Sequence, residues 1–502
     1  MKCNRRVARG QRGFAALYVL FASMVLIPVA GLAIDFSVLY NVKGRLQAAV
    51  DAAAIDAGYL MQRSTNLSDP TQVAAIQSTS QRYFNANFPS NYWGSTPVSY
   101  SATPSQNATT KVRTLNVQAS ELVPMLFMRV IGINTSTVAA QATVSVRYTN
   151  LMIVVDRSGS VLTEGANTTI VNVLTQFVAN SSTSTFVDGR DVVGMVTFGG
   201  AWRLDFPPTT SFQSGSPNIG TAINNIAWGN NGTNTADGLY QAWYQLRKLN
   251  QPGALNVILL LTDGRPSGFT GNFTSTANCH TASPHGGVVQ SYVNLGSSYP
   301  YWPPPTTGAD VFGVISSTYQ GSSEVNYLGT NSTGCSYATQ VGNPETNLPN
   351  DIPTFPNLAG PIDNVDGTIP AYTAAGVSTI AGYYPSPGNS TSNPRSVRYA
   401  AFNVADNIAT LIRQDTVINP VLFVIGLTYS DELTEPLDSD WLARVANDPT
   451  YTIQTSDPAA GTTAGNPVYQ SGQTQGWYYQ SSQAGLLQAF QNVSSQIMRL
   501  SQ

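Results

Sequence analysis

Residues 151–160 read Leu151-Met152-Ile153-Val154-Val155-Asp156-Arg157-Ser158-Gly159-Ser160. An apolar run breaks abruptly into one carboxylate and two hydroxyls at alternating positions. A short continuous apolar run bounded by turn residues predicts a strand buried on both faces. The run then sets Asp156, Ser158 and Ser160 just past the carboxyl end of that strand. Hard oxygen ligands of this kind suit Mg²⁺, which prefers octahedral geometry and keeps waters or accepts a partner's oxygen. The same residues also fit an ordinary strand closed by a Ser/Gly turn, and this stretch alone leaves both readings open.

Two further segments bear on that choice. Asn231-Gly232-Thr233-Asn234-Thr235 precedes a helical pattern, and Leu259-Leu260-Leu261-Thr262-Asp263-Gly264 is a second apolar strand ending in an acid. With all three segments in this order, the chain resembles a von Willebrand factor A domain carrying a complete metal-ion-dependent adhesion site. The resemblance implies Asp156, Ser158, Ser160, Thr233 and Asp263 as the ligand set, with Thr235 second in rank for the threonine role. It implies Mg²⁺ as the ion, or Mn²⁺ or Ca²⁺, bound directly by the hydroxyls and directly or through water by the carboxylates. Two carboxylates and neutral hydroxyls only just compensate the ion, so an outside carboxylate is a favourable last ligand. The expectation is binding of an acidic protein partner rather than catalysis. Such a site lies at the carboxyl ends of strands in an open α/β sheet, where these folds bind ligands.

The surrounding pattern predicts that sheet. Thr168 to Asn180 has helical apolar spacing, Asp191 to Phe198 reads as a buried strand, and Trp202 to Phe206 as an antiparallel edge strand. Ile219 to Ile226 and Ala236 to Leu249 read as helices around the loop that holds Thr233, and Asn256 to Thr262 as the central strand. Alternating strands and helices imply a mostly parallel, doubly wound sheet with helices on both faces. The pattern stops at 264 and resumes with a helix at Val397 to Arg413. A strand at Val421 to Leu427, a helix at Asp440 to Ala446, a short strand at Gly476 to Gln480 and an amphipathic helix at Gly485 to Leu500 follow. The A domain is therefore expected over 149–500, with six strands and a large insertion at 264–394. That insertion has no sustained periodicity, carries six acids and one base, and holds scattered aromatics. Its aromatic content predicts an ordered or partly ordered segment beside the metal face rather than a disordered linker.

The amino terminus predicts where the domain works. Phe14 to Ile34 is a run of 21 residues without a charge, long enough to cross a bilayer. Lys2, Arg5, Arg6, Arg9 and Arg12 precede it with no acid among them. By the positive-inside rule, residues 1–13 stay cytoplasmic and the chain beyond Asp35 is exported. Beyond the run, Val42, Leu46, Ala49, Ala53, Ala57 and Leu60 recur at helical spacing, which extends one helix over 14–62 with a single apolar face. Its alanines permit close packing, either against another helix, which makes the anchor a candidate for homo- or hetero-oligomerisation, or against the chain's own membrane-proximal domain. The stretch Gly31 to Tyr40 with Arg45 to Ala54 resembles the N-terminus of Tad-type (tight-adherence, Flp) pilus-assembly proteins, most nearly the TadG-like members that join such a helix to a von Willebrand A domain. The resemblance implies a single-pass protein of a bacterial inner membrane, its bulk periplasmic or surface-exposed, partnered by pilus or secretion components. Related pilins often have glutamate five residues after the glycine cut by the prepilin peptidase. After Gly13 the fifth position is Tyr18, so the anchor is expected to be retained. Residues 63–148 contain a helical pattern at 71–88 and alternating segments from 97 to 148, which predict a small α+β module of pilin type.

Composition agrees with export. Charged residues make up 10% of the 502, and the net charge of −3 becomes −8 once the five N-terminal cations are set aside. An acidic exterior without basic clusters argues against nucleic acid. Cys3 falls on the cytoplasmic side. Cys279 and Cys335 fall on the oxidising side, where a disulfide between them is expected. The rival use of Cys279, with His280 and His285 as a zinc site, matches no common spacing.

Catalysis finds no support in the motifs. There is no GxxxxGK[ST] phosphate loop, no histidine near a candidate nucleophile, and Ser158 does not sit in a G-x-S-x-G elbow. The leading expectation is a membrane-anchored, exported Tad-type assembly or adhesion protein that grips a partner carboxylate through a metal. The alternative is a structural minor pilin-like subunit whose metal only steadies loops. A regulatory subunit for an ATPase is a third, opposed by the exported topology.

Overall fold

The computed structural model describes residues 11–501 apart from 109, 201, 230–231, 273–285, 292–310, 316–393, 430–436 and 453–467. The chain divides into two compact units. One comprises Met1–Ala108 with Val112–Val146 and Gln502, the other Thr109–Lys111 with Arg147–Ser501.

The first unit is built on one long helix, α1 (Gln11–Arg63). Its two parts differ in what covers them. From Leu17 to Phe36 the large apolar side chains are exposed, as in a segment meant for a non-aqueous solvent. From Val38 onward, Val42, Leu46, Ala49, Val50, Ala53, Ala57 and Met61 form a buried stripe at helical spacing. Three antiparallel strands lie along that stripe: β1 (Thr96–Gln106), β2 (Arg113–Pro124) and β3 (Thr135–Val146), in the order β1-β2-β3. In β2, Leu115, Val117, Ala119 and Val123 alternate inward, as the two-residue period of a one-sided strand requires. A second helix, α2 (Pro70–Asn87), starts at an Asp69 cap that accepts from Thr71 N. It adds Ile76 and Phe84 to the same core. Gly58 lets α1 approach β3, since a Cβ there would stand 2.8 Å from Val144 Cγ1.

The second unit is a six-stranded sheet sandwiched by helices. Its strands are β4 (Thr149–Asp156), β5 (Val192–Phe198), β6 (Trp202–Thr209), β7 (Leu255–Thr262), β11 (Val421–Thr428) and β12 (Trp477–Ser482). The spatial order is β12-β11-β7-β4-β5-β6, with β6 antiparallel and the others parallel. The four central strands are buried end to end apart from Thr428, which is why they read as continuous apolar runs rather than alternating ones. One face is covered by α6 (Thr235–Leu249), α7 (Pro394–Arg413) and α8 (Ser439–Ala446). The other is covered by α4 (Asn167–Leu174, widening into a π turn at Thr175–Ala179), α5 (Ile219–Asn224) and α9 (Leu486–Ser501). A short helix, α3 (Gly159–Thr163), follows β4 directly.

This order reverses direction between β4 and β7. Strands succeeding β4 are laid to one side and those from β7 onward to the other, which opens a crevice at their shared carboxyl ends. The insertion has no sustained periodicity in sequence, yet among its described residues it holds three short strands, β8 (Gly268–Asn272), β9 (Gly286–Ser291) and β10 (Val311–Ile315), paired antiparallel as β10-β9-β8. Five or six residues of Gly, Ser and Thr among apolar positions are too few to display a period.

Candidate metal centre

Asp156 is the last residue of β4 and Asp263 the first after β7, so the two carboxylates flank the crevice between neighbouring parallel strands. Both are buried, at 1% and 2% exposure. The β4 turn folds back on its own acid, with Ser158 N donating to Asp156 Oδ1 at 2.9 Å. Ser160 opens the first turn of α3 and donates its hydroxyl to Asp263 Oδ1 at 2.9 Å. Ser160 has a single proton to give. The 2.9 Å contact between Ser158 Oγ and Ser160 Oγ therefore runs from Ser158 to Ser160. Carboxylate, serine and serine form one chain across the crevice.

Thr233 comes from a loop that is tied down twice. Its N–H donates to Ser267 Oγ at 2.8 Å, and Ser267 N donates back to Thr233 O at 2.9 Å. Gly232 before it has φ +86°, a left-handed conformation that glycine adopts without strain. Thr233 Oγ1 and Ser160 Oγ each lie 3.9 Å from the point where a side chain on Gly264 would begin. The loop therefore faces the carboxylate pair. Thr235 is the first residue of α6, and its buried hydroxyl has no hydrogen-bond partner among the described residues. Asn234 between them caps α6, accepting from Asp237 N at 3.3 Å. All five residues expected from the sequence thus converge at the carboxyl ends of β4 and β7.

Two partners of the carboxylates were not anticipated. Thr262 donates to Asp156 Oδ2 at 2.6 Å, and Tyr429 donates to Asp263 Oδ2 at 2.8 Å. Tyr429 immediately follows β11, so its position at a strand's carboxyl end was the available signal. Arg157 is buried and donates to Ala227 O at 3.1 Å, which holds the β4 turn against the segment before Gly229.

The electrostatics are those of two acids confined together. Burial raises the Asp156 carboxyl above its ordinary value, against hydrogen bonds from Ser158 and Thr262 and the charge of Arg157. Burial and the neighbouring Asp156 charge push Asp263 up to about 8 against the hydroxyls of Tyr429 and Ser160. The Tyr429 phenol is also raised, by burial and then by Asp263. A divalent cation held between them would relieve this arrangement by neutralising both acids where they stand. The donor set is oxygen only. Among the described residues no group of three His, Cys, Asp or Glu side chains is clustered to hold a metal. Cys279, Cys335, His280 and His285 lie outside the described residues.

A von Willebrand factor type A domain matches residues 150–283, and a Flp pilus-assembly TadE/G-like segment matches residues 13–62. The chain joins a TadE/G-like N-terminal helix to a von Willebrand factor type A domain. No curated protein sequence matches it. Among solved structures, the A domain of the type V pili tip protein Mfa5 from Porphyromonas gingivalis is 13% identical, covering 71% of this chain and 97% of that one with a TM-score of 0.34. The PilB minor pilin from Streptococcus sanguinis is 11% identical over 82% of this chain and 79% of its own, TM-score 0.31. The pilus adhesin SpaC from Lactobacillus rhamnosus GG is 13% identical over 80% of this chain and 34% of its own, TM-score 0.33. The long apolar α1 and the TadE/G-like segment fit a membrane-anchored pilus protein.

Proposed function

We propose that this is a membrane-anchored Tad-type pilus-assembly or adhesion protein whose A domain binds a partner carboxylate through a divalent cation. The observation that carries the reading is the pair Asp156 and Asp263, buried side by side at the topological switch of the sheet and linked through Ser158 and Ser160. Two acids confined in a buried crevice cost stability wherever both are charged without a cation, and the surrounding hydroxyls of Ser158, Ser160 and Thr233 are neutral oxygen donors suited to one. Mg²⁺ is the ion favoured by that set, with Mn²⁺ as its closest substitute. Bound there, the cation supplies an electrophilic centre for an acidic side chain from outside. The chain's own part is to hold five oxygens in place and exclude bulk water beneath them. On this reading the anchor holds the domain on the exported side of a bacterial inner membrane, with pilus and secretion components as its partners.

The test is a comparison of the intact protein with Asp156→Ala in cells. Loss of fibre assembly or adhesion with the variant still inserted and folded supports metal-dependent binding. Full function in a folded Asp156→Ala strain would overturn it.

A further inference from the structure

The connection between β2 and β3 is unusually apolar for a turn. Leu126, Phe127, Val130, Ile131 and Ile133 are 54%, 41%, 86%, 70% and 43% exposed, and Arg129 stands exposed among them. Of the large apolar side chains here, only Met125 is fully buried in the unit's core. A loop facing water would not carry five such side chains in eight residues.

The position of this loop is fixed by α1. Asp35 accepts three backbone N–H bonds from it, with Leu126 N at 2.8 Å and Phe127 N at 3.0 Å, and Met128 N at 2.7 Å. Phe127 lies over Gly31, where an added Cβ would fall 2.6 Å from the ring. Gly31 and Asp35 are one helical turn apart, at the end of the uncharged run Phe14–Ile34. Lengths agree with this placement. The remainder of α1, from Asp35 to Arg63, rises roughly 42 Å, and the 12 residues of β2 extend about 40 Å. The strand starts where Arg113 Nη1 donates to Met61 O at 3.1 Å, and its far end returns to where α1 leaves the apolar run.

The backbone of the loop is also prepared for a dry setting. Non-helical chain at membrane depth is tolerated only where its polar groups are satisfied. Asp35 takes three N–H groups, while Met125 N donates to Asn134 O. Val130 N, Gly132 N and Ile133 N donate to Phe127, Arg129 and Met128 carbonyls, all between 2.9 and 3.1 Å. Exposed Leu32, Ile34 and Phe36 of α1 continue the same apolar collar.

We propose that Met125–Ile133 dips into the bilayer leaflet from which α1 emerges, with Leu126, Phe127, Val130 and Ile131 among the upper acyl chains. Arg129 extends its guanidinium to lipid phosphates, as long cationic side chains do at that depth. Asp35 is the latch that sets the depth of the loop relative to α1. The proposal rests on the reading of Phe14–Ile34 as membrane-spanning, and its test separates the two.

The full chain is reconstituted in phosphatidylcholine vesicles with single added cysteines at Val130, Phe21 or Thr103, labelled with an NBD fluorophore. Protein carrying only Cys3, Cys279 and Cys335 is labelled in parallel as background. Thr103 is exposed on β1, well along the sheet from the loop. Lipid bearing a nitroxide high on its acyl chain should quench the probes at 130 and 21 at least twofold more than the probe at 103. Quenching at 21 with 130 matching 103 overturns the loop's insertion and leaves the anchor standing. A shielded but unquenched probe at 130 identifies a protein surface over the loop and overturns lipid contact. No quenching at 21 removes the spanning reading, and the proposal with it.

Discussion

Asp263 ties stability to pH in an unusual sense. A carboxylate is commonly held below its unfolded value, so that stability fades in acid. Here burial and Asp156 push the folded value up to about 8, above the ordinary value of 3.8. The metal-free fold therefore has its full contribution from this group below about pH 4, and loses it as pH rises towards 8. Thermal melts in chelator should show a lower transition at pH 8 than at pH 5 from this group, and saturating Mg²⁺ should narrow the gap. A metal-free transition that rises steadily over that interval would contradict the assignment. Asp263→Asn removes the repulsion and should melt higher than the metal-free parent at pH 8 while binding no metal. Tyr429→Phe deletes a hydrogen bond to the same carboxylate and should weaken metal affinity by about 10-fold or more in calorimetry. Five of the seven polar groups at the site were legible because they sit in three short motifs. Tyr429 is 166 residues from Asp263 in the chain and touches it only because β11 lies beside β7. Thr262 stands inside a quoted motif, yet nothing in the motif shows that its hydroxyl turns to Asp156 rather than to the ion.

The strands and helices of the A domain were readable for a physical reason. A strand buried on both faces must be apolar throughout, and β4, β5, β7 and β11 are. The antiparallel edge β6 was readable from its alternation, with Trp202 and Phe206 buried and its polar residues more open. The strands of the insertion were not, being short and mixed. Helix α6 shows how tightly the elements control the site. It follows Thr233 and lies against the sheet at Gly238, where a Cβ would fall 2.7 Å from Phe198 Cδ1 and 3.0 Å from Val154 Cγ1. Gly238→Val should lift α6 from the sheet at a cost of about 1–3 kcal/mol, the range for overpacked cores. Denaturant unfolding reads that loss. Because Thr233 precedes the same helix, metal affinity should fall in parallel, whereas an unchanged midpoint would show that α6 has room to spare.

The molecule as a whole reads as two tasks on one chain. The first unit converts a single helix from an exposed apolar segment into a buried stripe within a few residues of Asp35. That change was visible in the sequence as the switch from an uncharged run to a helical period. Which loop meets the switch was not visible, because it depends on β2 being as long as the helix it lies along. If α1 is an anchor, the full chain stays with membranes through high-salt and alkaline washes and leaves only with detergent. Release by salt alone would contradict it. The second unit carries the claim on which the functional reading depends, that oxygens from three separated motifs hold one divalent ion. Titration of the metal-free full chain with Mn²⁺, followed by electron paramagnetic resonance, tests this most directly. Saturation at one ion per chain is expected, with displacement by Mg²⁺ and loss of binding in Asp156→Ala and Asp263→Ala while the melting transition is retained. No saturable uptake, or uptake untouched by both substitutions, would contradict it.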